Sequence, residues 1–265
     1  MAKLIEFKND NGDKLRGIVE GVDSKEAIVF VHGFERTTIE TKFKNFIDIL
    51  KDKYLTFRFD FTGCGLSDGD FANTTVKSMT QDLKVTICEI QSIYPQITKI
   101  NIVSHSLGCV ASLIYAKQNI NQIKKIIALA PALNQKELQR FWFVNETMRK
   151  TNPETQVSWQ NYKEFLDEMD FESYCQLGKT TKSHYINPEY CLEVLETDFQ
   201  ILLTEDVASK MLIIHGSIDD KVPFESNNQL PPEIKILKTE GGDHDLEKPV
   251  IVKQYLDNAI KFLEE

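Results

Sequence analysis

Three residue types in this chain could together break an acyl bond: a serine at a sharp turn, a histidine in a glycine loop, and an aspartate to orient that histidine. The serine is Ser106, in Ser104-His105-Ser106-Leu107-Gly108. The apolar run Ile100 to Val103 precedes it, and an apolar stretch long enough for a helix follows it. Strand, tight bend with a central serine, then helix is the context of a nucleophile elbow, whose bend strains the serine backbone and exposes its hydroxyl above the sheet. Strand and helix then pass close together, so the residues two before and two after the serine must be small. Ser104 and Gly108 are small, although the usual G-x-S-x-G has glycine at the first position.

The candidate base is His244, in Glu240-Gly241-Gly242-Asp243-His244-Asp245, where the glycines free the loop to point one side chain inward. It would take the proton of Ser106 and return one to the leaving group. The turn Ile213-Ile214-His215-Gly216-Ser217-Ile218-Asp219-Asp220-Lys221-Val222-Pro223 offers two neighbouring acids, Asp219 and Asp220, either of which could fix the tautomer of a histidine. His215 reads as a turn residue rather than a ligand or base.

Val31-His32-Gly33-Phe34 follows another apolar run, AIVFV. Its glycine allows a tight turn that presents the backbone N–H of Phe34. Together with the N–H of Leu107 this makes a two-donor oxyanion hole, which stabilises the oxygen charge of a tetrahedral transition state. His32, inside that turn and ahead of the serine, is expected to be structural. In Arg58-Phe59-Asp60-Phe61-Thr62-Gly63-Cys64-Gly65-Leu66-Ser67-Asp68-Gly69 the glycines shape a loop. No cation adjoins Cys64 to lower its pKa, so a reactive thiol is not expected.

The elements that must hold these groups follow from periodicity. Lys3 to Lys8 and Leu15 to Glu20 read as an antiparallel hairpin across Asn9-Asp10-Asn11-Gly12-Asp13. A buried central strand is expected at Ala27 to Val31, and further strands at Tyr54 to Phe59, Ile100 to Val103, Lys125 to Ala130, Met211 to His215 and Ile234 to Lys238. Helices are expected over Glu40 to Leu50, over Met79 to Tyr94 (apolar steps of four, four, three and four), after the elbow, and over Val250 to Leu263. This alternation indicates an α/β fold, a mostly parallel central sheet with helices on both faces and functional loops at the carboxyl ends of the strands. It stops between Leu133 and Glu205. That stretch holds 11 of the 26 aromatic residues, including Trp142 and Trp159, while PETQVSWQNYKEF and GKTTKSHYINPEY lack strand runs. The expected organisation is a core of residues 1–132 and 206–265 with residues 133–205 inserted as a cap. Its rings would form the cap's own core, line an apolar pocket, or both.

Composition narrows the partners. A chain of 265 residues with net charge −9, only 5 arginines among 31 basic residues and no basic stripe is not expected to bind nucleic acid. MAKLIEFKND has no apolar core of signal-peptide length, and no apolar run is long enough to span a membrane. Five cysteines, Cys64, Cys88, Cys109, Cys175 and Cys191, without C-x-x-C spacing read as free thiols in a cytoplasmic setting. The histidines are scattered, so no metal site is expected, and nothing fixes an oligomeric state.

With HGF, RFDFTGCGLSDG, SHSLG, HGSIDDKVP and GGDH all in place, the chain resembles an α/β-hydrolase over nearly its full length apart from the cap. The set is similar to cinnamoyl/feruloyl esterases and monoacylglycerol-lipase-like serine hydrolases, and Ser…Asp…His is the chain order of that superfamily. The resemblance implies Ser106 as nucleophile, Asp219 rather than Asp220 as orienting acid, His244 as base, and Phe34 and Leu107 as oxyanion donors. It implies an ester hydrolase that works through an acyl-enzyme on a small-molecule ester with an apolar or aromatic acyl group, and needs no cofactor. The same triad could serve a monoacylglycerol lipase, thioesterase, amidase, peptidase or acyltransferase, and the fold could also carry a non-enzymatic small-molecule-binding protein.

Overall fold

A computed structural model of the chain describes residues 2–167, 169–181 and 183–265. Strands β1 (Lys3–Lys8) and β2 (Lys14–Gly21) form the expected hairpin, followed by β3 (Glu26–Val31), α1 (Thr41–Leu50), β4 (Leu55–Phe59), α2 (Val76–Ile93), β5 (Lys99–His105), α3 (Gly108–Gln118) and β6 (Ile123–Leu129). The chain closes through β9 (Met211–Gly216), β10 (Lys235–Thr239) and α9 (Pro249–Glu264). Between β6 and β9 lie α4 (Gln135–Thr151), α5 (Lys163–Leu166), α6 (Phe171–Cys175), β7 (Lys179–Thr180), β8 (Tyr185–Ile186), α7 (Pro188–Glu196) and α8 (Glu205–Ala208).

Eight strands make one sheet in the order β1-β2-β4-β3-β5-β6-β9-β10. β2 pairs antiparallel with β1 and β4, and every other pairing is parallel. Successive strand side chains point to opposite faces, and this divides the core. Val29, Ala128 and Ile213 pack on the side of α2 and α3, while Ile28, Ile127 and Leu212 pack on the side of α1 and α9. Burial on both faces explains why these strands read as continuous apolar runs. No described helix is long and apolar enough to cross a membrane.

Two expectations shift. α2 begins at Val76, ahead of its first periodic residue Met79, because Thr75 and Ser78 form a capping box: Thr75 Oγ1 accepts from Ser78 N at 3.0 Å and Ser78 Oγ from Thr75 N at 2.9 Å. GKTTKSHYINPEY, expected to lack strands, holds the short antiparallel pair β7 and β8. Two-residue strands carry too few side chains to leave an alternation in sequence. Lys182, in the same stretch, lies outside the described residues.

The segment between β6 and β9 has an apolar cluster of its own, built on Phe141, Phe143, Val144 and Tyr162. Most of the aromatic surplus is spent there. Tyr190 and Phe199 instead join the core beside the sheet. The segment also bonds to loops at the carboxyl ends of the strands. Trp142 Nε1 donates to Lys221 O at 2.6 Å, beyond β9. Asn187 N donates to Ala72 O at 2.9 Å, beyond β4. Glu193 of α7 accepts from Val76 N at 2.6 Å and Lys77 N at 2.8 Å, capping α2 from outside.

Candidate active site

The carboxyl ends of β5, β9 and β10 bring the three expected side chains together. Ser106 follows β5 with φ +52°, a left-handed backbone that a non-glycine residue adopts at a cost of about 1–2 kcal/mol. Hydrogen bonds to the end of β6 and to the segment just after it hold it there: Ser106 N donates to Leu129 O at 2.9 Å, and Ala132 N donates to Ser106 O at 3.2 Å. A Cβ on Gly108 would lie 2.3 Å from His32 O and 2.8 Å from Val31 O, so only glycine lets α3 start this close to β3. Ser104, in place of the usual glycine, is fully buried and donates through Oγ to Ile127 O at 3.3 Å.

Ser106 Oγ stands 3.0 Å from His244 Nε2, and His244 Nδ1 stands 2.8 Å from Asp219 Oδ2. Asp219 Oδ1 accepts from Lys221 N at 2.9 Å and Val222 N at 2.8 Å. Burial pushes this carboxyl up, but the neighbouring His215 and His244 N–H groups and the Val222 amide outweigh it and hold Asp219 below the usual carboxylate range. An ionised acceptor at Oδ2 fixes the proton of His244 on Nδ1. That leaves Nε2 free to accept from the serine. Asp220 points outward, with a side chain 75% exposed and, among the described residues, paired only with Lys221.

The turn after β3 lies against the serine turn. Among the described residues no acceptor takes the backbone N–H of Phe34 or of Leu107. Gly33 approaches so closely that a Cβ there would lie 3.0 Å from that of Ser106. His32 is fully buried and structural. Its Nδ1 donates to Gly33 O at 2.8 Å, and its Nε2 accepts from Phe61 N at 3.1 Å, tying the turn to the loop after β4. Burial lowers its pKa to about 4, so the ring is neutral. Burial likewise raises the Cys64 thiol to about 12, in keeping with an unreactive group.

Several supporting residues gave no sequence signal. His105 Nε2 donates to His244 O at 2.9 Å and anchors the histidine loop from beneath. The ring of Phe34 lies between Tyr190, stacked at 5.3 Å, and Phe71, edge-on at 5.0 Å. Tyr190 OH donates to Gln135 Oε1 at 3.1 Å, and Gln135 Nε2 to Ala132 O at 2.8 Å. Glu35, with φ +53°, accepts from Thr181 Oγ1 and faces His184 Nδ1 at 3.0 Å. Apart from the local bond of Gln135 to Ala132, these are long-range pairings between single residues, which no local pattern announces.

A cavity of about 800 Å³ opens along the oxyanion turn, lined by Gly33, Phe34, Phe61, Cys64 and Phe71 and, farther out, by Asp13. A second, of about 530 Å³, lies between α4 and the loop after β9. Ser106 lines neither; Gly33, packed against Ser106, connects the chemistry to the first.

A mostly parallel sheet covered on both faces, with a serine at the sharp turn after β5 and a histidine after the last strand, is the α/β-hydrolase architecture. The family model described as serine aminopeptidase, S33 matches residues 22–238, and the chain belongs to that family. The match takes in Ser106 and Asp219 and ends before His244. Among solved structures, Est1E from Butyrivibrio proteoclasticus with ferulic acid bound is similar with a TM-score of 0.75 at 18% identity, over 98% of this chain and 100% of that one. Alpha/beta hydrolase domain-containing protein 10 from mouse gives 0.71 at 18%, over 99% and 98%. At such identities these likenesses speak for the fold. The probable lysophospholipase BODYGUARD 2 of Arabidopsis thaliana is 32% identical over 115 residues, 41% of this chain and 24% of its own length. The alignment therefore spans about a quarter of that relative.

Proposed function

We propose that the chain is a carboxylic-ester hydrolase that works through an acyl-enzyme, with Ser106 as nucleophile, His244 as base, Asp219 as orienting acid, and the N–H groups of Phe34 and Leu107 as oxyanion donors. The observation that carries this reading is the continuous line from Ser106 Oγ through His244 to Asp219 at 3.0 and 2.8 Å, beside two backbone N–H groups that no acceptor among the described residues takes. His244 Nε2 takes the serine proton as Oγ attacks the ester carbonyl. The ester C–O bond then breaks, and His244 gives that proton to the departing alcohol. Water next attacks the acyl-enzyme, His244 takes its proton and returns it to Ser106 Oγ, and the acid leaves.

The acyl groups favoured are small to medium and apolar or aromatic. Support comes from the rings of Phe34, Phe61 and Phe71 along the cavity and from the ferulic acid held by Est1E. Residues 133–205 act as a cap, in keeping with their bonds to the loops around the site. An aminopeptidase reading, suggested by the family description, is less well supported. Glu35, the carboxylate adjoining the oxyanion turn, is engaged by Thr181 and His184 rather than open to a substrate ammonium.

The test is hydrolysis of a panel of p-nitrophenyl esters, methyl hydroxycinnamates, a monoacylglycerol and an aminoacyl p-nitroanilide, each with Ser106→Ala as control. Ser106-dependent turnover of the esters, strongest for aromatic or medium acyl groups, is the expected result. Turnover of the anilide alone, or none that depends on Ser106, would overturn the reading.

A further inference from the structure

His215 has no part in the proton transfer, yet it is fully buried against the acid. Asn227 Nδ2 donates to His215 Nδ1 at 2.6 Å, and the same amide donates to Phe224 O at 2.9 Å, which fixes its orientation. With Nδ1 occupied as an acceptor, the only ring proton of a neutral His215 sits on Nε2. That N–H donates to Val222 O at 2.8 Å and stands 3.2 Å from Asp219 Oδ2. Val222 in turn gives its own N–H to Asp219 Oδ1. One ring therefore touches both oxygens of the acid, one directly and one through the Val222 peptide.

We infer that His215, held in its Nε2–H tautomer by Asn227, is a positioning residue for the acid. It presents a fixed N–H to Asp219 Oδ2 opposite His244 and pins the turn that supplies the donor to Oδ1. The inference rests on the triad reading above. Charges near the pair are matched elsewhere: Asp243 with Lys248 at 2.8 Å, Asp245 with Arg36, and Asp220 with Lys221 at 3.2 Å. The remaining neighbour, His105, faces His244 ring to ring at 4.9 Å and is kept neutral by its burial. Replacing His215 therefore changes what Asp219 feels without unpairing another charge.

The experiment measures the pH dependence of fluorophosphonate labelling of Ser106 and of ester kcat/KM in the full chain, for wild type, His215→Phe, His215→Gln and Asn227→Leu. Without the N–H, Asp219 carries more charge toward His244 and is itself protonated more easily. Both effects move the acid limb to higher pH. His215→Phe is expected to slow labelling severalfold to about tenfold, the scale of a lost hydrogen bond, and to raise the limb. His215→Gln, which keeps an N–H at similar reach, should recover most of that loss. Asn227→Leu, which leaves the ring in place but frees its tautomer, should shift the limb in the same direction even if His215→Phe fails to fold. An unmoved limb in Asn227→Leu and in any folded His215→Phe, or equal losses in His215→Phe and His215→Gln, would reduce His215 to packing and overturn the inference. Labelling of wild type that survives Ser106→Ala would instead bring down the triad reading itself.

Discussion

Gly108→Ala sets two physical arguments against each other. Gly108 is the first residue of α3, and in a helix alanine is favoured over glycine by about 1 kcal/mol. Local propensity therefore predicts a stabilised protein. The structure predicts the reverse, because the added Cβ would meet His32 O at 2.3 Å, Val31 O at 2.8 Å and the carbonyl carbon of His32 at 3.0 Å. All three are backbone atoms at the end of a central strand, and no rotamer change can relieve them. Ordinary contact starts near 3.4 Å, so α3 and β3 must part by about an ångström. Overpacking of that kind costs about 1–3 kcal/mol, enough to cancel or exceed the propensity gain. The displacement also falls between Phe34 N and Leu107 N, and an ångström of misplacement in a reacting geometry costs on the order of a hundredfold in rate. Urea unfolding should give a lower midpoint than wild type at unchanged slope, and kcat/KM on the best ester should fall by one to two orders of magnitude. A variant more stable than wild type with undiminished turnover would refute the close approach as the reason for this glycine.

Two further outcomes can be measured alongside. Asp219→Asn should lower kcat roughly 10³–10⁴-fold, since an amide cannot hold His244 in the required tautomer. Asp220→Asn, at an exposed site, should change it little, and the reverse ranking would exchange the two roles. His32 links stability to pH: the unfolded chain protonates it near 6.5, the folded chain only near 4, so its contribution is whole above pH 6.5 and is lost as pH falls toward 4. The span corresponds to about 3 kcal/mol at most. Glu40, Asp60 and Asp82, whose pKa values burial raises, work in the opposite sense. The measure is therefore the difference in urea stability between wild type and His32→Gln, followed from pH 7 to 4.5; a constant difference would show that His32 takes up its proton in the folded state as readily as in the unfolded one.

The sheet and the candidate triad were legible because each leaves a local mark. Continuous apolar runs reveal strands buried on both faces, and glycine-flanked turns after those runs reveal where Ser106, Asp219 and His244 emerge. Between Asp219 and Asp220 sequence offers no local distinction. The two differ through what the fold places around them, the Val222 amide and two histidines for one and solvent for the other. Residues that steady the site were silent for a related reason. Tyr190 meets Phe34, and Asn227 meets His215, only after folding, and neither pairing has a period or a spacing. The aromatic surplus of residues 133–205 was visible, but its division between a separate cluster and the core beside the sheet was not.

The outside cap on α2 has a consequence for motion. The amides of Val76 and Lys77 are first-turn donors that α2 cannot satisfy itself, and Glu193 of α7 holds both. α7 also carries Tyr190 against Phe34. Any excursion that lifts α7 away therefore bares those two amides to solvent at the moment it frees the ring beside the oxyanion turn. Their deuterium uptake would clock the breathing of the entrance to the site, at a free energy below that of global unfolding and without any substrate present.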